Sequence, residues 1–284
     1  MVFGASALAT EAKYEVTAEK QSIGLEGVEN CRQLGGYPAA DGKTVKQGLV
    51  LRTGELAKAT DADILKLKET YHLGVIVDFR EQDVIDMAPD PAIDGVKAIH
   101  VPVMDEELKE KSKNITAANN EDYVKTLVGV IESGSYNLEN MYVNIVNTDA
   151  GKAGFAKFFR ELLENEEGRA ILYHCSYGKD RTGIASVLFL SAMGVDEEII
   201  IEDFALTNTF LAKKIGYMQE ECKKLTDNAE TVERIADMIG VPVYAMENMI
   251  RYMNENYGSV YGYITGALGV TEAEIAQLRS MYLE

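Results

Sequence analysis

At 284 residues, 46% hydrophobic and 26% charged, the chain has the composition of an ordinary globular protein and the length for one large α/β domain. Its formal charge of −18 excludes a general affinity for nucleic acid or anionic membrane, which depends on Lys and Arg, and no apolar run is long enough to span a bilayer. Three scattered cysteines and three scattered histidines exclude a fully paired disulfide framework and a four-cysteine zinc site, so neither metal nor cofactor is expected.

Residues 1–20 read as a polar N-terminal tail. An A-x-A pattern within Ala5 to Ala9 lacks the positive n-region of a signal peptide, which makes a cytoplasmic location the default and leaves export to the case of a truncated signal. "GLVLRTGEL" (Gly48 to Leu56) predicts a short strand and turn. Thr60 opens a helix with an acidic first turn, and "GVIVDFRE" and "VKAIHVPV" (Val96 to Val103) read as buried strands. From Asp105 to Asn147 the chain turns charged and amide-rich, with helical spacing resuming over Tyr123 to Ile131, and this region (105–147) is expected to be a lid or cap insertion. "AGFAKFFRELLE" (Ala153 to Glu164) predicts an amphipathic helix, Gly168 to His174 a buried strand, and Thr182 to Gly194 an apolar helix closed by glycine. Asp196 to Glu284 reads as helices punctuated at Gly216, Gly240, "YGSVYGY" and Gly269. Strand and helix alternate, so the fold expected is α/β, in a single domain over 1–284.

The chemistry concentrates in "HCSYGKDRTG", His174 to Gly183. With Cys175 at a strand end and Thr182 in the first turn of a helix, the intervening backbone N–H groups of Ser176, Tyr177, Gly178 and Lys179 converge into a nest for an anion. The same groups favour the Cys175 thiolate, the nucleophilic form. Arg181, six residues on, offers a planar fork to two oxygens of a tetrahedral oxyanion. Gly178 permits the turn, and the Thr182 hydroxyl is placed to donate to the thiolate.

The spacing C-x5-R followed by Thr resembles the signature of the cysteine-dependent tyrosine phosphatase superfamily. The loop is similar to that of bacterial protein tyrosine and phosphoinositide phosphatases whose phosphate loop carries Lys-Asp. "NCRQLGGY" (Asn30 to Tyr37), "LRTGEL", "VDFRE" (Val77 to Glu81), "EDFALTN" (Glu202 to Asn208) and "YGSVYGYITGALGVT" extend the resemblance from Asn30 to the end. It implies a mixed sheet flanked by helices with a helical lid, a phosphocysteine intermediate and no metal. It also implies Cys175 as nucleophile, Arg181 as transition-state stabiliser and Asp180 as general acid, with Asp105 as the alternative because "VPVMD" resembles the acid loop of dual-specificity phosphatases. Asp78, at a strand end, is a third candidate. Lys179 would attract a second phosphate, Tyr177 would stack on an aromatic ring or pack against the lid, and His174, Arg32 and Arg80 would support the loop. Gln33 stands where members have aspartate and Cys31 where they have a bulky apolar residue. Cys31 is therefore a candidate for a protective disulfide with Cys175.

The implied substrate is a phosphorylated protein, phosphotyrosine first, with dual specificity or a phosphoinositide second. A rhodanese-type sulfurtransferase and a non-catalytic phosphate-binding module are the competing readings.

Overall fold

The computed structural model describes residues 14–110, 120–134 and 137–284. Residues 1–13 of the expected tail, and segments 111–119 and 135–136 of the expected lid, lie outside the described residues, while the end of that tail enters a short helix at Ala18. Among the described residues five strands form one sheet: β1 (Arg32–Gln33), β2 (Val50–Thr53), β3 (Leu73–Asp78), β4 (Lys97–His100) and β5 (Ala170–His174). Their order is β1-β2-β5-β3-β4, with β1 antiparallel to β2 and the other pairs parallel. The mixed sheet is the one expected. Its edge strand β1 was not predicted, because two residues carry no readable alternation.

The helices in chain order are α1 (Ala18–Gln21), α2 (Asp61–Glu69), α3 (Gln82–Met87), α4 (Asn120–Glu132), α5 (Met141–Asn147) and α6 (Asp149–Glu164). After β5 come α7 (Asp180–Met193), α8 (Glu197–Phe210), α9 (Ala212–Lys223), α10 (Ala229–Ile239), α11 (Val243–Tyr257), α12 (Val260–Gly266) and α13 (Glu272–Tyr282). Helix α2 starts at a capping box between Thr60 and Asp63. Helix α6 starts four residues earlier than the apolar spacing suggests, because Thr148 caps it by accepting from the Gly151 N–H. Gly216 does not punctuate: α9 runs through it, and a glycine that meets open space in a helix costs only about 1 kcal/mol. No helix among the described residues is long and apolar enough to cross a membrane.

Alternation in β5 divides the molecule into layers. Ile171 and Tyr173 face the larger core, where Phe155, Phe158 and Phe159 of α6 and most of α7 are buried, while Ala170 and Leu172 face a smaller core with Leu51, Leu67 and Ile76. Helix α7 is apolar on nearly all sides and buried accordingly, ending in the left-handed cap Gly194. A third cluster joins Leu127 and Ile131 of α4 to Cys222 of α9 and Ile235 of α10, so part of the expected lid region packs with two C-terminal helices. The register sets Thr53 and Asp78 either side of His174, which brings three strand carboxyl ends together where open parallel sheets bind ligands.

Candidate active site

Cys175 follows β5 directly, and the next helix begins five residues later at Asp180. The loop between them is oriented by its carbonyls. Cys175 O accepts from His174 Nδ1 at 3.2 Å, Ser176 O from the Glu55 N–H at 3.1 Å, and Tyr177 O from Asn30 Nδ2 at 3.2 Å. Gly178 O accepts from Asn30 Nδ2 and from Arg52 Nη2, both at 2.8 Å, and Lys179 O from the Gly183 N–H at 2.8 Å. In a trans peptide the C=O and the following N–H point opposite ways, so five outward carbonyls turn the N–H groups of residues 176–180 inward. Gly178, at φ +61°, is required: a Cβ there would stand 2.2 Å from Thr53 O.

Burial is the largest influence on Cys175 and opposes its ionisation. The Arg181 guanidinium, the Thr182 hydroxyl and the Thr182 N–H outweigh it and hold the thiol below its ordinary value, against a smaller upward push from Asp180. Burial likewise disfavours the Arg181 cation, yet Cys175, Glu81, Asp180 and Asp78 raise its pKa. Arg181 Nη1 donates to Glu81 Oε2 at 2.5 Å and to Phe79 O at 3.2 Å, and Nη2 to Ser176 Oγ at 3.4 Å, which ties the fork to the loop at Ser176.

The three candidate acids fall in different surroundings. Asp180, the first residue of α7, accepts from the Tyr142 hydroxyl at 2.9 Å and lies 3.8 Å from Lys179 Nζ. Asp105 accepts from the Leu108 N–H at 2.9 Å and so caps the helical turn at 106–110. Asp78 is buried against Arg80, which donates from Nε to both its oxygens at 3.0 Å and from Nη2 to Oδ2 at 2.8 Å. Lys179 is turned away from the nest: its Nζ donates to Met238 O at 2.5 Å and Gly240 O at 3.0 Å, at the end of α10. Tyr177 is 37% exposed at the rim, with Lys214 Nζ 4.3 Å from its ring centroid. Cys31 packs in the smaller core and Cys175 in the larger, on opposite faces of the sheet, and all three cysteines are free. Asp78, Asp90 and His174 bring three potential metal-ligand atoms within 4.8 Å of one another, but Arg80 Nη2 already holds an oxygen of each carboxylate at 2.8 Å.

The sequence profile of a tyrosine phosphatase family matches residues 23–284. The chain belongs to that family. It is 27% identical over 271 residues, 93% of its own length and 89% of the relative's, to a protein of Cupriavidus necator assigned by name to the tyrosine-protein phosphatases. It is 24% identical over 280 residues, 91% of its length and 98% of the relative's, to the triple specificity protein phosphatase PtpB of Mycobacterium tuberculosis. A tyrosine-protein phosphatase of Nostoc commune is 26% identical over 246 residues, 85% of this chain and 76% of that one. Membership makes this chain a phosphatase of the protein tyrosine or dual-specificity kind.

Sequence reasoning passed over several residues that build this phosphatase's loop. Arg52 donates to Ser186 Oγ at 2.9 Å and Asp203 Oδ2 at 3.2 Å besides Gly178 O, and Asp203 Oδ1 is also met at 3.1 Å by Nε of Arg32, a residue the sequence did place behind the loop. Tyr37 donates to the same Asp203 oxygen at 2.9 Å. Asn30, Glu81 and Tyr142 complete the set. All but Tyr142 and Ser186 lie in the stretches quoted for the resemblance, which was the signal available.

Proposed function

We propose that the enzyme hydrolyses phosphomonoesters on proteins, phosphotyrosine foremost, through a phosphocysteine at Cys175. The Cys175 thiolate attacks phosphorus while the N–H groups of the loop and the Arg181 fork hold the equatorial oxygens. The P–O bond to the leaving group breaks, and the departing phenoxide takes a proton from Asp180. Water then attacks the phosphocysteine, Asp180 accepts the proton, and inorganic phosphate leaves with the thiolate regenerated. Thr182 donates to the sulfur anion as it departs. Ser176, Tyr177, Gly178 and Lys179 bind phosphate through the backbone.

The observation that carries this reading is the loop itself: five successive carbonyls each taken by a donor, which favours N–H groups free to face an anion, and a thiol lowered by Arg181 despite burial. Asp180 is favoured as the acid because Asp78 is committed to Arg80 and Asp105 to a helix cap. Phosphotyrosine is favoured over a phosphoinositide because Tyr177 stands at the rim and the Lys179 ammonium is spent on two carbonyls. The whole chain is read as one phosphatase domain, with α4, α9 and α10 as the cap over the loop.

The test is hydrolysis of para-nitrophenyl phosphate, expected to vanish in Cys175→Ser and to fall on the order of 10²–10³ in kcat for Arg181→Lys. A panel of phosphotyrosyl peptides, phosphoseryl peptides and soluble phosphoinositides across pH, repeated on Asp180→Asn and Asp105→Asn, ranks the substrates. Loss of the basic limb in Asp180→Asn is expected; its loss in Asp105→Asn alone would reassign the acid.

A further inference from the structure

Asn30 has no part in the reaction written above, yet its side chain is almost wholly buried and every polar atom of it is engaged. Nδ2 donates to the two successive loop carbonyls of Tyr177 and Gly178. Oδ1 accepts from Arg32 Nη1 at 2.5 Å, so the amide cannot turn over without placing its nitrogen against a guanidinium. Arg32 is fixed in turn by Asp203 and by Thr207 Oγ1 at 3.2 Å. The Asn30 backbone has φ +54°, a conformation that asparagine tolerates and glycine adopts freely.

We infer that Asn30 is a positioning residue that sets the anion affinity of the phosphate loop. By holding two consecutive carbonyls outward it keeps the N–H groups of Gly178 and Lys179 turned inward. Gly178 O has a second donor in Arg52, but among the described residues Tyr177 O is held by Asn30 alone, so the Gly178 N–H depends on it most. Release of that peptide lets it rotate and presents a carbonyl dipole to phosphate in place of a donor. The chain of command runs from Asp203 through Arg32 to the amide and then to the loop.

The inference rests on the proposed reaction at Cys175, so its test separates binding from turnover. Asn30→Gly removes the amide while keeping the left-handed backbone; Asn30→Asp sets a carboxylate against both carbonyls. Inorganic phosphate is titrated calorimetrically into each on a Cys175→Ser background, and the thiolate is followed by ultraviolet absorbance against pH with Cys175 in place. Phosphate affinity is expected to fall about tenfold in Asn30→Gly and further in Asn30→Asp, the thiol to titrate at higher pH, and kcat to fall more than KM rises. Unchanged phosphate affinity and thiol titration in a folded Asn30→Gly protein would overturn the inference, whatever happened to its stability. Should Cys175→Ser bind no phosphate even with Asn30 present, the proposed reaction fails, and the thiol titration of Asn30→Gly still decides the role of Asn30.

Discussion

Two buried arginine clusters flank the strand that carries Cys175, and they are balanced in opposite senses. On the β1 and β2 side, Arg32 and Arg52 share a single carboxylate, Asp203. Across the sheet, Arg80 alone is met by three, Asp78, Asp90 and Glu55. Burial and the charge of Arg32 together bring Arg52 down to about 10, with Asp203 only partly offsetting them. Arg80 is disfavoured by burial too, yet its three carboxylates carry it above the ordinary guanidinium value. The cation-rich cluster touches the loop at Gly178 through Arg52, and the acid-rich cluster lies beside His174.

The comparison is broken most severely at Asp203. Asp203→Ala leaves two buried guanidiniums without their counter-charge and is expected to lose about 3–5 kcal/mol in chemical denaturation. Lys179→Met, which removes an ammonium from the two carbonyls at the end of α10, is expected to lose about 1–3 kcal/mol and to leave phosphate affinity near that of the wild type. A large drop in phosphate affinity instead would show the ammonium acting on the ligand.

Asp90→Asn probes the acid-rich side by pH. Burial pushes the His174 imidazole down, but Asp90 and Asp78 outweigh it and raise its pKa; Asp90 itself is lowered by His174 and Arg80 against the upward push of burial. A raised His174 stabilises the fold fully below its unfolded pKa and loses that contribution as pH rises through the folded value. A lowered Asp90 contributes above its unfolded pKa and loses it as pH falls through the folded value. The pair is therefore most stabilising between the two, and Asp90→Asn is expected to narrow the window from the alkaline side, read by a histidine NMR titration moving to lower pH. Glu55→Gln, at a partly exposed carboxylate, is expected to change stability by only about 0.5 kcal/mol, measured the same way as Asp203→Ala.

Much of this was legible beforehand because it is local. Strand β5, the loop and helix α7 are contiguous, and apolar runs broken by Gly178 and Gly194 mark their limits. The ion clusters were not, since Arg52 and Asp203 lie 151 positions apart and no spacing rule joins them. Arg32 and Arg80 were placed behind the loop from their stretches alone, while their partners had to be seen. Asp78, Asp105 and Asp180 each lie at an element's end, so the sequence ranked them by resemblance alone, and it is in their hydrogen-bond partners that they differ. Gly216 misled because glycine also occurs in exposed helices that need nothing from it.

The ammonium of Lys179 grips carbonyls at the end of α10 while its own backbone belongs to the loop after Cys175, so the C-terminal helices and that loop are tied together. Any fraying of that helix end has to break two charge-assisted bonds and would leave the freed cation with the Asp180 carboxylate as its near neighbour. Order in that helical terminus and the charge felt by Asp180, the proposed proton donor, thus rise and fall together.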